Sequence, residues 1–179
     1  MRHFGLNFKD KHKDEIREFL IKAKRYGYGK ATPIIKQDGA NEITYKLGDW
    51  LYTDTWYGGE PFSGITTIAY RGKVCWVMHY HGEIGAESGF ASGYRKRKLT
   101  ECLIGALSAS FHQWGDYETI PVRGPRDFYT ANGYIYNAEF IYGRQDISSF
   151  CGTETIKEPY GSHNIVYDAE FFGGFVNLY

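Results

Sequence analysis

From Gly48 onward the chain keeps returning to one kind of segment: a short run dense in Tyr, Phe, Trp, Thr, Val and Ile, closed off by glycine. DWLYTDTWY (49–57), GITTIAYR (64–71) and KVCWVMHYH (73–81) come first, and GYIYNAEFIY (133–142), FCGTETI (150–156) and NIVYDAEFF (164–172) follow. Aromatic and β-branched side chains suit a pleated surface, and glycine supplies the backbone angles of tight turns. The runs therefore predict antiparallel strands, with hairpins at Gly58-Gly59 and Arg71-Gly72-Lys73. Aromatic residues make up 18% of the 179, from 16 Tyr, 12 Phe and 4 Trp, so rings supply much of the core. The mean hydropathy of −0.46 understates this, because Tyr scores as polar while its ring packs.

Two segments break the pattern. Over 10–26, Ile16, Phe19, Leu20 and Ala23 recur at helical spacing, with Asp10 placed to cap the start and Gly27 to end it. Over 98–113, Leu99, Cys102, Leu103, Ala106, Leu107, Ser110 and Phe111 form a second stripe. The basic run Arg95-Lys96-Arg97-Lys98 precedes it; cations are unfavourable at a helix N-terminus, so Arg95 to Arg97 are expected mostly in a loop. Residues 43–47 alternate weakly and predict a first edge strand.

The strand runs also resemble one another. Trp50-Leu51-Tyr52 aligns with Tyr134-Ile135-Tyr136, Phe62-Ser63-Gly64 with Phe150-Cys151-Gly152, and Ile68 with Ile156. Trp76 aligns with Tyr167, and Tyr80-His81-Gly82 with Phe171-Phe172-Gly173. The expected fold is α+β: a pseudo-duplicated helix plus three-stranded antiparallel meander, with halves at about 10–84 and 95–176. Three strands with one apolar face are marginal alone, so both copies would share one sheet core within a single domain over 1–179.

Charge and cysteine content narrow the function. Lys and Arg number 21 against 21 Asp and Glu, so general nucleic-acid binding, which needs surplus cations, is not expected. No signal peptide or membrane span is read. Cys75, Cys102 and Cys151 are odd in number, widely spaced and set among apolar residues, which suits buried thiols. A cytoplasmic protein without a membrane partner or cofactor is the expectation.

Two patterns carry chemistry. In His79-Tyr80-His81-Gly82-Glu83, alternate residues of a strand share a face, so His79, His81 and Glu83 would converge as ligands for zinc or non-haem iron. His112 or His163 would complete such a site if folded nearby. Against it, Gly82 invites a turn before Glu83. The second pattern is Asp54, flanked by Trp50, Tyr52 and Trp56 on one strand face. A carboxylate among rings needs a partner, and Arg123, in Arg123-Gly124-Pro125, is the expected one. Together with Trp76 and Tyr136 these residues would form an aromatic groove with a polar end, suited to a flat ligand such as a base or sugar. Ala138 stands where the second repeat would carry Asp54. Asp168 and Glu170 are not read as a catalytic pair, the basic run reads as a solvated stretch, and no nucleophile elbow, metalloprotease helix or phosphate-binding loop appears.

Taken in order, Tyr52-Thr53-Asp54-Thr55-Trp56-Tyr57-Gly58-Gly59, Trp76-Val77-Met78-His79-Tyr80-His81-Gly82, Arg123-Gly124-Pro125 and Phe171-Phe172-Gly173-Gly174 resemble an uncharacterised bacterial domain-of-unknown-function family. That family occurs alone or fused behind helix-turn-helix regulators, and the resemblance covers roughly residues 11–176. It implies ligand sensing or partner binding and brings no catalytic residues with it. The leading expectation is a non-enzymatic binding domain that uses Tyr52, Asp54, Trp56, Trp76, Arg123 and Tyr136 for a small molecule or protein partner. The alternatives are a metal-dependent enzyme at His79, His81 and Glu83, and an inhibitory or structural partner protein acting by surface occlusion, for which a homodimer is one arrangement.

Overall fold

Alternation along each strand decides which residues enter the core. A computed structural model describes residues 8–84, 93–109, 122–125, 129–158 and 164–176. Among these, nine strands form one antiparallel sheet: β1 (Ile34–Ile35), β2 (Asn41–Leu47), β3 (Trp50–Gly58), β4 (Phe62–Tyr70), β5 (Lys73–Ile84), β6 (Tyr129–Ala131), β7 (Tyr134–Asp146), β8 (Ser149–Lys157) and β9 (Ile165–Phe175). Their spatial order is β1-β2-β3-β4-β5-β9-β8-β7-β6. Strands β1 to β5 are thus consecutive neighbours, β6 to β9 run back from the far edge, and β5 and β9 join at the centre. The fold is α+β, with helices α1 (Phe8–Gly29) and α2 (Gly93–Ala109) on one face of the sheet.

Several boundaries differ from expectation. Helix α1 starts two residues before Asp10, and it continues past Gly27, whose bare Cα faces Ile43 of β2. Helix α2 starts at Gly93 and so contains the basic run that was expected in a loop. Arg97 and Lys98 both pair with Glu101, at 3.6 and 3.4 Å, one turn along, which offsets the unfavourable dipole position. Strand β5 runs through Gly82 instead of turning there. The space a Cβ would need is held by Phe62 Cζ at 2.9 Å and Ala169 Cβ at 2.6 Å, so glycine here serves close strand packing. The hairpin between β4 and β5 does turn where predicted, with Arg71 and Gly72 at φ 51° and 79°, the two positive values a type I′ turn requires.

Inward residues make two clusters. Ile16, Phe19, Leu20 and Ala23 of α1 cover Tyr52, Ile68, Trp76 and Met78, while Leu99, Cys102 and Ala106 of α2 cover Tyr136, Ile156, Val166 and Tyr167. Phe62 packs against both. Rings fill places where glycine leaves room: Tyr80 lies over Gly64 and Phe171 over Gly152. The opposite face of the sheet carries no helix among the described residues, and Phe172 there is 53% exposed. No described helix is long and apolar enough to cross a membrane.

Candidate functional site

Where the two helix-covered halves meet, the interior is polar. Strand β3 turns Tyr52, Asp54 and Trp56 inward, and its neighbours bring Thr66 of β4 and Tyr80 of β5 beside them. Thr66 Oγ1 and Tyr80 Oη donate to the same oxygen, Asp54 Oδ1, at 2.8 and 2.9 Å. On the other side of the seam, Glu154 of β8 accepts from Arg123 Nε at 3.0 Å and Tyr167 Oη at 2.8 Å on Oε1, and from Tyr136 Oη at 2.6 Å on Oε2. The Arg123 guanidinium lies over the Tyr80 ring, 4.3 Å from its centre, so one phenol links the two acids. From above, Lys24 of α1 donates to the carbonyl of Val122.

The electrostatics follow from burial. Loss of hydration and, after it, the Arg123 charge push the Lys24 amine down against the opposing pull of Asp54 and Glu154, leaving it at about 7. Burial works against the Arg123 charge, but the Glu154 carboxylate together with Tyr28, Tyr167 and Tyr80 outweighs it and holds the guanidinium protonated. The phenols of Tyr28, Tyr52, Tyr80, Tyr136 and Tyr167 are all pushed up, first by burial and also by the nearby carboxylates. They remain hydrogen-bond donors across the neutral range.

Of the six aromatic-groove residues, all are on the helix-covered side, yet they do not form an open groove. Tyr52, Trp76 and Tyr136 are buried, with Trp76 stacked on Phe150 and its Nε1 donating to Ile147 O at 2.8 Å. Trp56 is half-buried, at the rim. The helices close over what the strand pattern alone leaves open. Arg123 pairs with Glu154 instead of the expected Asp54, whose Oδ1 takes Thr66 and Tyr80; the longer Glu154 side chain is the one that reaches the guanidinium.

His79, His81 and Glu83 do share a face, but it is the exposed one. His79 stacks on Phe172 at 5.2 Å, His81 is opposite Ser63 and Glu170, and Glu83 is opposite Asp168. Alternate residues of a strand stand about 7 Å apart. Among the described residues no three His, Cys, Asp or Glu side chains converge on a metal position. His112 and His163 lie outside the described residues.

Sequence reasoning missed Lys24, Tyr28, Thr66, Tyr80, Glu154 and Tyr167. Two had a readable signal: Lys24 follows Leu20 by four on the apolar stripe of α1, and Glu154 alternates with Phe150, Gly152 and Ile156.

No curated protein and no solved structure matches the chain. A family model does: the domain of unknown function DUF5680 matches residues 54–176, a span that opens on Asp54 itself and takes in Arg123, Tyr136 and Glu154. The chain therefore belongs to the DUF5680 family.

Proposed function

We propose that the protein is a non-enzymatic binding domain whose seam between the two halves, entered beside Trp56, holds a small planar ligand. One observation carries this reading: Asp54 and Glu154 share a buried seam with Lys24 and Arg123. Four ionisable groups in a core are expensive, and apolar residues of the same size would usually serve stability as well. A buried amine moved as far as that of Lys24, gathered with shifted phenols and two carboxylates, is characteristic of functional sites. The tyrosines offer stacking area and hydroxyl donors, and Asp54 offers an acceptor, as recognition of a flat polar molecule requires.

The same reading takes the fold as two copies of one helix-plus-meander unit. Shifts of 84, 88 and 91 along successive strands carry Tyr52 to Tyr136, Ile68 to Ile156, and Trp76 to Tyr167. The pairings Tyr52 with Ile68 and Ile68 with Trp76 are matched by Tyr136 with Ile156 and Ile156 with Tyr167. At the centre Tyr80 pairs with Phe171, its own counterpart, as a two-fold axis between copies would require. Against that background the seam is the asymmetric part. Asp54 corresponds to Ala138, Thr66 to Glu154 and Tyr80 to Phe171, so its polar groups are additions to a shared apolar plan.

The test is ligand-observed NMR on the intact protein with a panel of planar heteroaromatic and sugar compounds. Panel members should bind saturably, and Trp56→Ala should weaken them about tenfold or more while melting stays cooperative. Binding unchanged by Trp56→Ala, or no binding at all, overturns the reading.

A further inference from the structure

We propose that the seam selects a ligand carrying a cationic N–H group on a flat ring, an amidinium or protonated amine, and that Asp54 is the residue that reads it. The inference rests on the binding reading above and assigns its ligand class. The two carboxylates are not equivalent. Glu154 is 0% exposed and takes three donors spread over both its oxygens, so it is a closed, positioning group. Asp54 keeps 7% exposure, takes both its donors on Oδ1, and receives none on Oδ2 from the described residues. An oxygen held in place by its neighbour's hydrogen bonds and taking none from the described residues has acceptor capacity for one more donor.

The cations of the seam are committed. Arg123 is bonded to Glu154 and seated on Tyr80, and Lys24 is bonded to Val122 O. An anionic ligand would have to break a buried ion pair to be held, whereas a cationic one needs only the spare acceptor capacity of Oδ2. Arg123 and Glu154 cancel in charge. The Lys24 amine, facing Arg123, Asp54 and Glu154, holds its proton weakly and leaves Asp54 largely uncompensated above neutral pH. Trp56 is on the same strand face two residues on, where its ring offers a surface to a planar cation. An N–H donor on a positive group makes a stronger, shorter bond to a carboxylate than a neutral donor does.

Benzamidine, benzamide and benzoate share one ring and differ in charge, and their binding to the full chain can be followed by calorimetry and melting temperature. Benzamidine is expected to bind saturably and raise the melting temperature, benzamide to bind at least about tenfold more weakly, and benzoate not to bind. Asp54→Asn should weaken benzamidine by about tenfold or more, while Glu170→Gln, the same loss of charge on the other sheet face, should leave it unchanged. If Asp54→Asn does not melt cooperatively, the ranking of the three probes on the unaltered protein decides. Benzoate or benzamide binding as well as benzamidine overturns the assignment to a cationic ligand while leaving the seam a ligand site. Failure of all three probes, together with failure of the wider panel, overturns the binding reading itself.

Discussion

Lys24 is an amine where the fold has little use for charge. Folded, it keeps its proton only below about 7, against 10.5 ordinarily. Between those values the unfolded chain binds the additional proton, so stability rises as pH rises, and the penalty for the buried cation is largest below about 7. The thiols of Cys75 and Cys102, moved by burial from 9.0 to about 11, oppose this trend from about pH 9 upward. Urea unfolding between pH 7 and 9 should therefore show stability climbing by up to ~1 kcal/mol per pH unit. Lys24→Met should flatten that slope. An unchanged slope in the variant would mean that Lys24 is not the group that titrates.

At the scale of elements, glycine does two jobs that look alike in sequence. At Gly72 it supplies a positive φ, and this was legible because a short turn separates two aromatic runs. At Gly173 it permits contact. A Cβ there would meet Met78 Cα at 2.8 Å and Phe150 Cζ at 2.9 Å, as well as the Val77 carbonyl. Backbone cannot step aside, so Gly173→Ala should cost about 1–3 kcal/mol by urea unfolding. Gly59→Ala, with nothing within 4 Å, should stay within about 0.5 kcal/mol. The strands were readable because period-two burial writes itself into DWLYTDTWY and FCGTETI. The start of α2 was not, since four cations argued against a helix whose Glu101 answers two of them one turn later. The partner of Arg123 was also unreadable, because the choice between Asp54 and Glu154 depends on hydroxyls that four other strands deliver.

For the molecule as a whole, the question is what ties the two clusters together. The central β5–β9 ladder is one tie, and Phe62 is another, near-parallel to Tyr167 at 6.2 Å and tilted on Tyr80 at 6.1 Å. Tryptophan fluorescence, three of whose four reporters are in the first half, should unfold together with the far-UV signal of the whole sheet. Phe62→Ala removes a ring both clusters touch and should lower stability by roughly 2–3 kcal/mol, a part-buried share of the usual cost. It should also pull the two transitions apart; coincident curves would place the coupling in the central ladder alone. Gly64 carries a different consequence. Its missing side chain sets how low the Tyr80 ring can sink, and that depth fixes both the reach of the phenol to Asp54 and the seat of Arg123. Gly152 supports Phe171 in the same manner, but Phe171 has no hydroxyl to deliver. One added methyl would thus misalign the polar network in the first case, whereas in the second it would press on the Glu139 carbonyl and a bare phenyl ring, with no hydroxyl to displace.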